Sequence, residues 1–181
     1  MRYNKTIILS NGMECCLRNG TESDGQFVVD NFNLTHSETD FLLTYPEENG
    51  FTAAQESRYL KEKAESEREI ELLAVVDGVI VGTAGIEAIG TKCKVRHRAE
   101  FGISVLKKYW GLGIGKALLA SCIECAKAAG YSQLELEVVA ENERAVSMYE
   151  RAGFVECGRN PRGFCSRISG FQEVVSMRLE L

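Results

Sequence analysis

One order of segments constrains this chain more than any other. A strand-like run from Val95 to Leu106 is followed by YWGLGIGKALL (Tyr109 to Leu119). A helical pattern from Gly113 to Ala129 comes next, then a second strand-like run from Leu134 to Ala140. Ile114, Leu118, Cys122, Cys125 and Ala129 recur at helical spacing and make one apolar stripe, which Gly130 ends as a C-terminal glycine. Strand, helix, strand implies a parallel pair, because parallel neighbours need a crossover rather than a tight turn. Elsewhere the chain carries hairpin signals. Asp77-Gly78 stands between Ile70–Val76 and Val79–Ile86, and Asn11-Gly12 stands between Thr6–Leu9 and Met13–Leu17. A parallel pair among hairpin-linked strands predicts an α/β fold with a mixed central β-sheet and helices on both faces.

The remaining segments fit around that sheet. Thr21 and the acidic residues after it predict a helix start, with Phe27, Val28, Asn31 and Phe32 along one face. Leu34 to Gly50 reads as a further helical piece or an irregular connection around Pro46. Thr52-x-x-Gln55 is a capping box opening a charged surface helix to about Glu69. Asn142 caps a helix to about Ala152, and Phe154–Gly158 and Glu173–Leu181 supply the last strands. No linker, repeat or low-complexity run interrupts the 181 residues, so residues 1–181 are expected to form one domain.

A net charge of −5 argues against a nucleic-acid partner bound through a broad basic surface. No segment reaches the ~18 consecutive apolar residues of a membrane helix. The N-terminal MRYNKTIILSNG, whose longest apolar run is Ile7-Ile8-Leu9, does not resemble a signal peptide. A cytoplasmic protein without membrane partners is therefore expected. The seven cysteines are an odd count and fit reduced thiols. Cys122-x-x-Cys125 falls mid-helix with no second ligand pair, so it is expected to pack as core rather than hold a metal.

YWGLGIGKALL has three glycines where one would make a turn. The phosphate-loop pattern G-x-x-x-x-G-K-[ST], registered on Gly115-Lys116, requires glycine where Trp110 stands and Ser or Thr where Ala117 stands. The dinucleotide pattern G-x-G-x-x-G requires glycine at Lys116 or at Leu118, depending on its start. Both fail. What remains is a backbone anion seat. The N–H groups of Gly111, Leu112, Gly113, Ile114, Gly115 and Lys116 would face outward at the positive end of a helix. Lys116 is either an added charge for the anion or a solvated helix lysine.

From Glu100 to Gly158 the sequence resembles the acetyl-coenzyme A core of the GNAT superfamily of N-acetyltransferases. Ile103-Ser104-Val105 followed by Trp110-Gly111-Leu112-Gly113-Ile114-Gly115 is similar to that family's strand and [QR]-x-x-G-x-[GA] helix opening. Trp110 stands where the family has Gln or Arg. The family's N-x-x-A-x-x-x-Y-x-x-x-G-F is present as Asn142, Ala145, Tyr149, Gly153 and Phe154. The resemblance implies a coenzyme lying where the parallel strands splay apart. It implies that the backbone of Ile103, Ser104 and Val105, with Asn142, contacts the pantetheine arm. It also implies Tyr149 as the acid toward the thioester sulfur, and acetyl-CoA as cosubstrate with no metal.

Two residues are candidates for the base that an amine acceptor needs. Glu135 and Glu137 share one face of a strand expected to be central, where bare carboxylates are expensive. Glu137-Val138-Val139-Ala140-Glu141-Asn142 is similar to the E-V-x-A-x-N of ribosomal-protein N-terminal acetyltransferases, which favours Glu137. Glu100 is the rival, on the face of Arg96, Arg98, Gly102 and Ser104. A salt bridge to Arg96 or Arg98 is the structural alternative for either. The function expected is acetyl transfer to a primary amine by direct attack in a ternary complex. A non-catalytic acyl-CoA sensor is the alternative. The acceptor is an amine-bearing small molecule, a protein N-terminus or a lysine, set by Leu34–Glu69 and the loop Asn160–Gly170. A homodimer is compatible with the resemblance.

Overall fold

The computed structural model describes all of residues 1–181. Eight strands form one sheet: β1 (Asn4–Ile8), β2 (Glu14–Asn19), β3 (Ile70–Val76), β4 (Val79–Ala88), β5 (Arg98–Val105), β6 (Gln133–Val139), β7 (Val155–Ser166) and β8 (Gly170–Glu180). Their spatial order is β1-β2-β3-β4-β5-β6-β8-β7, and only β5 and β6 are parallel. The helices are α1 (Gly25–Glu38), α2 (Ala53–Glu65), α3 (Ile114–Ala128) and α4 (Glu143–Arg151). The mixed sheet and the crossover helix are those the segment order predicts.

Alternation along the strands sorts the helices. Ile70, Leu72, Ala74 and Val76 join the large core that also contains Ile114, Leu118, Cys122, Cys125, Phe101 and Tyr149. Leu73, between them, faces the other way and packs with Val28 of α1 and Leu60 of α2. So α3 and Tyr149 of α4 cover one face, and α1 and α2 the other. Cys122 and Cys125 are buried free thiols within the first core, as their stripe predicts. No helix is long and apolar enough to cross a membrane.

Several boundaries differ from expectation. The strand expected from Val95 begins at Arg98, because the N–H groups of Val95 and Arg96 both donate to the Lys92 carbonyl in a turn, each at 2.9 Å. The charged helix stops at Glu65, four residues before Glu69, where the Ser66 N–H closes the last turn on the Glu62 carbonyl. On α1, Val28 and Asn31 are buried but Phe27 points to solvent. The expected loop Asn160–Gly170 is largely strand, since β7 runs to Ser166 and pairs with β8. That strand lies at the sheet edge with mostly exposed side chains, so no apolar alternation marks it. It tolerates Pro161 at a register irregularity between Asn160 and Phe164.

Candidate active site

The parallel pairing is short. Arg98, Ala99 and Glu100 face Gln133, Leu134 and Glu135, and there it ends. Beyond it β5 stays with β4 as far as Val105 opposite Gly82, while β6 stays with β8 as far as Val139 opposite Val174. The sheet therefore splits between Gly102–Val105 and Glu137–Val139. A cleft of about 920 Å³ occupies the split. It brings together Glu100, Ile103, Ser104, Val105, Gly111, Gly113, Ile114, Gly115, Lys116, Glu137, Asn142 and Tyr149. Of the residues singled out in the sequence, Leu112 turns its side chain away onto the core, and its carbonyl accepts the Ser10 N–H at 3.3 Å.

The glycine turn has the geometry of an anion seat. Gly111 (φ 80°) and Gly113 (φ 97°) are left-handed, a conformation costly for other residues, and beyond the adjoining residues no protein atom lies within 4 Å of where a Cβ would stand on either. From Gly111 through Lys116, no backbone N–H donates to a protein acceptor; Ala117 is the first that does, to the Gly113 carbonyl at 3.1 Å. These donors sit at the start of α3, where the helix dipole is positive. Trp110 is not part of the seat. Its indole N–H donates to the Val105 carbonyl at 2.6 Å, fastening the turn to the end of β5. The Arg144 guanidinium stacks 5.4 Å above its ring.

Like charges stand directly opposite one another across three strands. Glu87 pairs with Glu100, and Glu100 with Glu135. Such a row is destabilising unless cations serve it. Two members are served. Arg98 donates to both oxygens of Glu135, at 2.5 and 2.7 Å, which lowers that carboxyl below its ordinary pKa. Lys63 lies 2.8 Å from Glu87, and the Tyr59 hydroxyl donates to the same oxygen at 2.7 Å. Glu100 has no cation, and its pKa is raised, first by burial and then by Glu137. Glu137 is exposed in the cleft, and its one protein hydrogen bond comes from the Ser176 hydroxyl at 3.3 Å. The salt-bridge alternative thus holds for Glu135 and for neither candidate base.

Tyr149 enters from the other face. Its ring meets Phe101 edge-on at 6.2 Å and Phe154 at 5.8 Å, and only 5% of the residue is exposed. Burial raises the phenol pKa well above its usual value, so the hydroxyl is protonated at neutral pH. Tyr149 lines the cleft, and its hydroxyl makes no hydrogen bond within the protein. Asn142 caps α4 with its side-chain oxygen, which accepts the Ala145 N–H at 3.4 Å. Its side-chain NH₂ remains unused.

The rest of the cleft comes from the two segments expected to set the acceptor, Leu34–Glu69 and Asn160–Gly170, although no motif singled out the residues that line it. Phe41, Leu42 and Leu43 follow α1 and form one wall with Phe164 of β7. Hydrogen bonds from Ser166, Ser169 and Gln172 to Asp40 hold this segment to the β7–β8 hairpin. These contacts span over a hundred residues, and no local pattern encodes them. Nor did any motif mark Arg144, because its partner Trp110 lies on a different element.

A comparison of the sequence with protein-family models matches residues 35–154 to the acetyltransferase (GNAT) family. The chain belongs to this family. A GNAT-family acetyltransferase from Streptococcus pneumoniae superposes with a TM-score of 0.88 at 32% identity, over 92% of this chain and 99% of that one. Among curated proteins, the N-alpha-acetyltransferase RimI of Mycobacterium tuberculosis is 32% identical over 93 residues, which is 51% of this chain and 55% of that protein. The L-amino acid N-acetyltransferase AaaT of Escherichia coli is 32% identical over 85 residues, 46% of this chain and 52% of that protein. The chain thus spans about half the length of these curated relatives. Their names describe different amine acceptors.

Proposed function

We propose that this GNAT protein transfers an acetyl group from acetyl-CoA to a primary amine, both substrates being bound together. The observation that carries this is the unbroken run of unpartnered N–H donors from Gly111 to Lys116, opening onto the gap between β5 and β6. Such a run suits a diphosphate, and the open space at Gly111 and Gly113 admits it to the backbone. Lys116 and Arg144 supply charge beside it. The free edge of β5 at Ile103, Ser104 and Val105 suits an extended amide arm, which would add to the sheet as a strand does. The unused NH₂ of Asn142 offers that arm a further donor.

The coenzyme supplies a thioester carbonyl and a thiolate leaving group. The chain supplies the proton transfers. A lysine-like ammonium has a pKa of about 10.4 and must lose a proton before it can attack. Glu137 takes that proton, directly or through a water, and Glu100 holds the cation beside it. A C–N bond forms, the C–S bond breaks, and Tyr149 gives its proton to the departing sulfur. The unpaired Glu100 and Glu137 and the protonated Tyr149 support an enzyme over an acyl-CoA sensor.

Calorimetric titration with acetyl-CoA, followed by thiol release across an amine panel, tests this. Saturable binding with amine-dependent thiol release is expected. Lack of binding at hundreds of micromolar refutes the coenzyme assignment. Binding without release for every amine leaves the sensor. Comparing Glu137→Gln with Glu100→Gln assigns the base: the greater loss of kcat and of the acidic limb of the pH profile belongs to Glu137.

A further inference from the structure

The two sides of the cleft carry opposite charge. Its cations, Lys116, Arg144 and Arg151, all project from α3 and α4. Glu100 and Glu137 alternate with Phe101 and Val138, which are buried in the α3 core, so the two carboxylates turn toward α1 and α2. No lysine or arginine lines the cleft from that side, and Arg98, the cation on β5 itself, is held by Glu135. The wall beside the carboxylates is apolar, made by Phe41, Leu42, Leu43 and Phe164. Leu43 is 73% exposed, an apolar surface with no partner in the chain.

We infer that the acceptor is a primary amine on an apolar body with no carboxylate beside the nitrogen. This rests on the acetyl-transfer function proposed above. An ammonium between Glu100 and Glu137 relieves the repulsion that these two groups exert on one another. An apolar substituent then covers Leu43 and Phe164, removing their surface from water. A free α-amino acid brings its own carboxylate within a few ångströms of Glu100 and Glu137, and no cation lines that side of the cleft to receive it. The site therefore selects against the zwitterion by repulsion, a specificity built from like charge as much as from contact.

Phenethylamine, phenylalaninamide and phenylalanine share one ring and differ only at the α-substituent, so thiol release with each isolates the carboxylate. The kcat/KM values for phenethylamine and phenylalaninamide are expected to exceed that for phenylalanine by about tenfold or more. A tripeptide amide beginning with phenylalanine separates the two sources of such an amine: a higher value than for phenethylamine marks a polypeptide N-terminus, a lower one a small amine. Leu43→Arg, at an exposed position, adds the missing cation and is expected to narrow the gap between phenylalaninamide and phenylalanine several-fold.

Phenylalanine performing as well as its amide would overturn the inference. So would an unchanged gap in Leu43→Arg. Acetyl-CoA binding with no transfer to phenethylamine, phenylalaninamide or the tripeptide also overturns it while leaving the coenzyme site standing. Failure to bind acetyl-CoA strikes instead at the transferase function.

Discussion

Replacing Tyr149 by phenylalanine removes one oxygen and separates chemistry from packing. The ring is retained, and with it the edge-on contact with Phe101 at 6.2 Å and the contact with Phe154 at 5.8 Å. The hydroxyl has no protein partner, so its loss leaves no orphaned donor or acceptor behind. Stability should change by less than ~0.5 kcal/mol, as for a substitution that breaks no interaction. The chemical cost is larger. A general acid contributes roughly 10²–10⁴-fold, and a thiolate, already a stable anion near neutral pH, belongs at the low end. A fall in kcat of about 10²-fold is expected, equivalent to ~2.7 kcal/mol of barrier. Steady-state thiol release measures it, with acetyl-CoA titration and a thermal melt as companions. Coenzyme affinity should stay within about threefold, since a shared loss of binding and turnover would mark the hydroxyl as a binding group. A kcat within about threefold of the parent protein would refute the acid role.

Further outcomes follow from other parts of the molecule. Glu71 is enclosed beneath α2, and burial, then Glu56 and Glu87, push its pKa up to about 8. The folded state then binds a proton that the unfolded state releases near pH 4.5, so stability must fall as pH rises between those values. Glu71→Gln should abolish that slope and gain on the order of 3 kcal/mol at pH 9, read from urea melts across pH; parallel slopes would contradict it. Leu118 is fully buried on α3, and Leu118→Ala should cost about 3–5 kcal/mol in a denaturant melt, with a loss under 1 kcal/mol meaning that α3 repacks. Arg144→Ala should raise the KM for acetyl-CoA several-fold, most at low salt and without change for a phosphate-free acetyl thioester. An equal rise with both donors would locate Arg144 away from the phosphates.

What the sequence disclosed and what it hid differ by the range of the interaction. The turn at Gly111 to Gly115, the caps at Thr52 and Asn142 and the apolar stripe of α3 are set by residues within one or two turns of each other. All of them were legible. The parallel β5–β6 pair was legible too, because a crossover helix leaves few alternatives. The β7–β8 hairpin beyond Asn160 was not, since an exposed edge strand buries too little to impose a period. Glu135 and Glu137 shared a face on paper. Which of them Arg98 would take depended on the register between β5 and β6, a long-range property that no spacing along the chain records.

That register also explains why the site lies where it does. Glu87, Glu100 and Glu135 form a row that a sheet selected for stability alone would not keep, because like charges opposite one another repel. The outer two are served by Lys63 and by Arg98. The middle one is left bare at the point where the strands part, where burial and then Glu137 raise its pKa. A cation placed there would relieve the sheet and close the cleft to an incoming ammonium. Perturbed, unpaired acids in a cleft are more often functional than structural. In this protein the contrast is internal, since neighbouring carboxylates on the same row were neutralised and this one was not. On the proposed function, the unpaired charge is there for the acceptor, as the unpartnered N–H groups of Gly111 to Lys116 are there for the coenzyme. Each half of the cleft is identified by the partner its own residues lack.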